Sequence, residues 1–184
     1  PHYGNYAFKP AGPLAYFDSG VEAYTGTAVF MEAHKQNFAL ARPASDQSAV
    51  ARFGDLTGAT ILQVLLPLLI IFLGFKAFSG ERESGTLRQL LSMGVKRNQI
   101  LWGKAIGIGA AVALVVVPCI LIGAIILSLT DLTAAVGFGT RTLVLSASYA
   151  AYGGIFLFLT LAVSAVAPSS RTALIALIGF WAFT

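Results

Sequence analysis

Residues 79–104 read Ser79-Gly80-Glu81-Arg82-Glu83-Ser84-Gly85-Thr86-Leu87-Arg88-Gln89-Leu90-Leu91-Ser92-Met93-Gly94-Val95-Lys96-Arg97-Asn98-Gln99-Ile100-Leu101-Trp102-Gly103-Lys104. The segment is polar and basic, and it lies between two apolar runs. Upstream, residues 56–78 carry Lys76 as their only charge; downstream, residues 105–129 carry none. A third uncharged run covers residues 142–166, and a fourth begins at Thr172 and continues to the last residue. A helix needs about 20 apolar residues to cross a bilayer, so the first three runs are long enough. Backbone groups in hydrocarbon pair within their own helix or in a closed barrel. These runs lack the alternation of barrel strands, which leaves helices. Pro67 and Pro118 fall inside two of them and are expected to kink their helices.

The composition agrees. Hydrophobic residues make up 57% of the 184-residue chain and charged residues 11%, against roughly 25% charged in soluble domains. The charges cluster in residues 1–55 and 76–104, as expected where water alternates with lipid. The segment 76–104 holds Lys76, Arg82, Arg88, Lys96, Arg97 and Lys104 against Glu81 and Glu83. Basic residues beside span ends mark the cytoplasmic side. Loop 79–104 and residues 168–171 are then inside, and residues 130–141 outside. Residues 1–55 are also outside, in a cytoplasmic (inner) membrane with several passes. The chain reads as a fragment with spans missing at both ends.

Within the loop, a Thr86 N-cap with Gln89 three residues on fits a capping box. Leu87, Leu90 and Leu91 stand at i, i+3 and i+4 on one face, and Gly94 is a stop. This helix is too short to be stable undocked. Physics alone leaves two surfaces open for it, the lipid headgroups and a partner protein.

The stretch from Phe78 to Ser92 resembles the signature of ABC-2 type permeases. There an apolar span is followed by Glu-Arg-Glu-x-Gly-Thr-Leu, a Leu-rich turn and a basic approach ending in Gly-Lys. Lys96, Arg97, Gly103 and Lys104 fit that approach, and the likeness extends over residues 56–184. It implies an all-α polytopic membrane protein, a permease-like helix bundle with an extracytoplasmic insertion of mixed structure. It also implies that Glu81, Arg82, Glu83, Gly85, Thr86, Leu87, Leu90 and Leu91 form the coupling segment that docks on an ABC nucleotide-binding subunit. The implied function is ATP-driven export, by a permease paired with a second copy or a second half. Residues such as Phe17-Asp18, Tyr24 and Glu32-Ala33-His34-Lys35 resemble the large periplasmic insertion between spans one and two in some members. The nitrous oxide reductase maturation permease is a relative with the same membrane core, but the insertion departs from it and its substrate is not carried over.

Other readings are weaker. No Walker-type phosphate loop is present, so ATP belongs to the partner and no cofactor is expected. Glu32, His34 and His2 fall short of a zinc ligand set. The lone Cys119 reads as a small hydrophobe. The basic loop is explained by topology without nucleic acid. Gln63 is the most polar side chain in a span, and either lines a path or bonds a neighbouring helix. Gly103, Gly107 and Ala111 form a small-residue stripe, for the bundle or a dimer seam. Tyr149 and Tyr152 line a cavity or pack. Residues 1–55 form a separate, aromatic-rich segment; over 21–40 both a helix and a strand pair remain open, and residues 48–53 read as a short helix. The rivals are a non-transporting scaffold for a periplasmic complex and an intramembrane hydrolase, which lacks paired catalytic groups.

Overall fold

The computed structural model describes residues 4–9, 12, 14–15, 17–18, 22–32, 38–40, 57–128 and 138–183. The chain divides into two compact units, residues 1–61 with 132–138, and residues 62–131 with 139–184.

The first unit holds a small antiparallel meander in the order β1 (Asn5–Phe8), β2 (Ala28–Met31) and β3 (Ala39–Leu40). Tyr6 pairs directly opposite Phe30, and their rings lie 4.9 Å apart between centroids, a cross-strand aromatic pair of the kind that stabilises sheets. Gly4 leaves room for this ring, because a Cβ there would stand 2.2 Å from Phe30 Cζ. A single turn of helix, α1 (Glu22–Thr25), ends at Gly26, whose φ of 79° turns the chain into β2. The stretch 21–40 thus contains one helical turn and a strand pair. The short helix expected over residues 48–53 lies outside the described residues, as do His2 and His34.

The second unit is helical. The helices are α2 (Gly58–Gly74), α3 (Ser79–Glu83), α4 (Thr86–Ser92), α5 (Arg97–Ser128), α6 (Phe138–Val166) and α7 (Ser170–Ala182). Among the described residues three stretches, Gly58–Glu83, Arg97–Gly123 and Phe138–Val166, are long and apolar enough to cross a membrane. Helix and apolar run do not share boundaries. The helix carrying the second run begins at Arg97, because Gln99 Oε1 accepts the Lys96 N–H at 3.0 Å and closes its first turn.

Leu66 and Ile70 of α2 pack with Phe156 of α6, and Val112, Val116 and Tyr152 surround them. Small residues set the spacing. A Cβ on Gly74 would lie 2.7 Å from Thr160 Cγ2. Pro67 removes the N–H that Gln63 O would otherwise accept. Tyr152 Oη donates to that carbonyl at 3.0 Å, and Trp181 Nε1 donates to Val64 O, one residue on, at 3.1 Å. Two neighbouring helices thus bond the backbone around the proline, the means by which apolar surroundings tolerate it. Tyr152 therefore packs and donates. Gly103 and Gly107 of the α5 stripe have no atom within 4 Å of a would-be Cβ, so they make no close helix approach among the described residues.

Candidate functional site

The ladder of the first spanning stretch breaks over residues 75–78, between α2 and α3. In an unbroken helix Ser79 N would donate to Phe75 O. Here Ser164 of α6 enters the gap. Its Oγ accepts from Phe78 N at 3.0 Å and Ser79 N at 3.2 Å, and donates to Phe75 O at 2.8 Å. Ser79 Oγ also donates to Phe75 O, at 2.8 Å, and lies 3.3 Å from Ser170 Oγ of α7. Ser79 and Ser164 are completely buried. Backbone groups opened by the break are thus bonded by hydroxyls rather than left bare.

Directly beyond the break comes the Glu-Arg-Glu triplet, and each member has a different partner. Glu81 Oε1 accepts from Lys104 Nζ of α5 at 2.6 Å, and the same ammonium stands 5.2 Å from the Phe78 ring centroid. Arg82 donates to Ala167 O at 3.3 Å and to Ala165 O, at the C-terminal end of α6. Glu83 Oε1 accepts Ser170 N at 2.9 Å and its Oε2 accepts Ser170 Oγ at 2.7 Å. Helix C-termini present free carbonyls and partial negative charge; N-termini present free N–H groups and partial positive charge. Arg82 meets the first kind of end and Glu83 the second. Ser169 completes the α7 cap by accepting Thr172 N at 3.2 Å. Because α3 bonds the residues of the α6–α7 turn, that turn and the segment 79–104 lie at the same end of the helices.

Helix α4 follows at Gly85, which has φ 77° and is the N-cap residue; no side chain caps the helix. The expected capping box is therefore corrected. Thr86 lies inside the helix, and its Oγ1 donates backwards to Glu81 O at 3.2 Å. Gln99, not Gln89, makes the reaching-back bond, at the start of the next helix. The reason is that Gly85 takes the left-handed turn and moves the cap one residue upstream. The C-terminal stop at Gly94 is a Schellman motif: Val95 N bonds Leu90 O at 3.3 Å and Gly94 N bonds Leu91 O at 3.2 Å, with Gly94 at φ 84°. Leu87, Leu90 and Leu91 are only half-buried, no residue of α4 is buried, and Met93 is 77% exposed. The sequence-expected site residues thus fall into two groups. Glu81, Arg82 and Glu83 engage this chain's own helices, and Leu87, Leu90 and Leu91 are half-buried. Ser79, Ser164 and Ser170 carried no signal in the sequence, because their partners lie 85 to 91 positions away.

A family profile described as "ABC-2 family transporter protein" matches residues 14–184. The chain belongs to the ABC-2 transporter family. With three helices among the described residues long and apolar enough to span, it is a multi-pass membrane protein. Over 58 residues, 32% of this chain, it is 43% identical to the probable ABC transporter permease protein NosY of Stutzerimonas stutzeri, covering 21% of that protein. Over 125 residues, 65% of this chain, it is 34% identical to the probable ABC transporter permease protein NosY of Pseudomonas aeruginosa, covering 44% of it. The chain thus spans less than half the length of these curated relatives. No solved structure matches it.

Proposed function

We propose that this chain is part of the membrane-spanning permease subunit of an ABC exporter in the cytoplasmic membrane, driven by ATP hydrolysed in a separate nucleotide-binding subunit. The observation that supports this reading is the half-buried leucine face of α4, on a short helix between two spanning helices, in a chain of the ABC-2 family. Such a helix gains by docking, and burial of one leucine is worth roughly 1.5–3 kcal/mol. Nucleotide-driven closure of the ATPase pair would move α4, and the spans with it; the ATPase cleft must therefore contact α4 differently in the two nucleotide states. The basic residues beside the span ends support a cytoplasmic position for residues 79–104 and an outside position for residues 1–55. There the aromatic-rich segment would meet a substrate or a partner protein. A second permease copy or half completes the transporter.

The full-length permease, co-expressed with the ATPases of its host, is expected to retain one ABC ATPase through purification and to hydrolyse ATP in that complex. A well-inserted permease that retains none overturns the reading in favour of a scaffold. A cysteine near Arg97 is expected to label only from the cytoplasm and one near Gly12 only from outside; the reverse pattern removes the docking side.

A further inference from the structure

We infer that Arg82 and Glu83 form an internal clamp that makes α3, α4 and the start of α7 one mechanical body, rather than a contact surface for the partner. Adjacent residues of opposite charge on one short helix meet the two ends of a helix–turn–helix in matching order. Arg82 bonds Ala165 O and Ala167 O where α6 ends, and Glu83 bonds Ser170 N and Oγ where α7 begins. Each charge faces the helix end of opposite partial charge, so exchanging the two residues would oppose both ends. Beside the clamp the buried Ser79 Oγ lies 3.4 Å from Ser164 Oγ and 3.3 Å from Ser170 Oγ, and the Ser164 hydroxyl bonds the broken ladder at Phe75 and Phe78. The Glu81–Lys104 pair ties the same helix to α5. Three helices far apart in sequence thus converge on five residues of α3.

The joint between α3 and α4 is braced as well. Thr86 Oγ1 bonds Glu81 O and lies 2.9 Å from Oγ of Ser84, the residue that caps α3. A displacement delivered to α4 is therefore passed to the α6–α7 turn through hydrogen bonds that would have to break for the two to part. A charged pair reserved for a partner would have its donors and acceptors open. Here Arg82 has two acceptors and Glu83 two donors within the chain. The clamp is a property of the permease alone; only its response to nucleotide rests on the coupling function proposed above.

The test is distance measurement by electron spin resonance on the full-length permease, alone and in complex with its ATPase, with Cys119→Ser to remove the native thiol. Spin labels at Gln89→Cys on α4 and Arg171→Cys on α7, both exposed positions, report on the body. The permease alone is expected to give one narrow distance peak, and the complex the same peak whether nucleotide-free or trapped with ATP and vanadate. Glu83→Ala is expected to broaden the peak in every state while the ATPase is recovered in wild-type amount. Ser170→Ala, which keeps both charges, is expected to broaden it less, and it decides the question if Glu83→Ala does not reach the membrane. A wild-type peak that moves on trapping, a Glu83→Ala or Ser170→Ala peak identical to wild type, or loss of the ATPase with Glu83→Ala each overturns the clamp. If the wild type binds no ATPase, the proposed function fails, and the permease-alone peaks still decide the clamp.

Discussion

Helices α3 and α4 are consecutive, both short, and joined through one left-handed glycine, yet they stand in opposite relations to the rest of the molecule. The side chains of α3 reach inward: Ser79 is buried, and Glu81, Arg82 and Glu83 bond α5, α6 and α7. Helix α4 buries no residue and holds its shape through local devices, Gly85 at its start and the Schellman turn at Gly94. The polar half of the motif is therefore hydrogen-bonded within the chain, while the leucines of the apolar half stay half-buried, with surface left for a further contact. It is what a helix with surface left for another contact would look like, supported by a base whose charged side chains bond three other helices.

The comparison can be broken from either side. The largest effect is expected at α4. Replacing Leu87 and Leu90 together by Asp removes two apolar burials and places charge in an apolar cleft, so ATPase affinity should fall roughly a hundredfold or more. A pull-down at normal permease levels reads this, and undiminished ATPase recovery would leave the lipid surface as the docking partner of α4.

The inward side is expected to respond in stability instead. Ser164→Ala takes the acceptor away from the buried Phe78 and Ser79 N–H groups. Leaving such groups bare costs about 1–3 kcal/mol. Thermal unfolding in detergent should show the loss, with ATPase recovery unchanged in membranes where the protein is intact; an unaltered midpoint would mean that the ladder break re-forms as ordinary helix.

Gly94→Ala sharpens the contrast on the outward side. It forces a Cβ into a backbone at φ 84°, worth roughly 1–2 kcal/mol of local strain. Nothing lies within 4 Å of the added atom, so α4 should fray while the spans stay intact. Faster amide exchange confined to α4 would report this, and unchanged exchange would deny that the Schellman turn holds the helix. The smallest effect is expected from Lys104→Ala, since a partly exposed ion pair contributes roughly 0–1 kcal/mol. A drop in the unfolding midpoint as large as that of Ser164→Ala would show that the tie to α5, not the serine cluster, dominates the inward side.

The sequence made the helices legible because the signals that define them are local. Runs without charge, the Leu87, Leu90 and Leu91 spacing, and the stop at Gly94 all act within a few residues. The cap lies at Gly85 rather than Thr86 because both residues suit a helix start and only backbone geometry chooses between them. The roles of Tyr152 and Trp181 were hidden because the carbonyls they bond, on Gln63 and Val64, lie 89 and 117 positions away.

The apolar runs and the charges between them were enough to identify the spanning helices and the basic loop that joins two of them. These follow from the free energy of placing charge or bare backbone in hydrocarbon, a cost read residue by residue along the chain. Only the tertiary structure decided the partners of the Glu-Arg-Glu triplet. Any free carbonyl satisfies an arginine and any free N–H a carboxylate. The choice of the α6 and α7 ends, 83 to 87 positions distant, came from helix packing that brought those ends to α3.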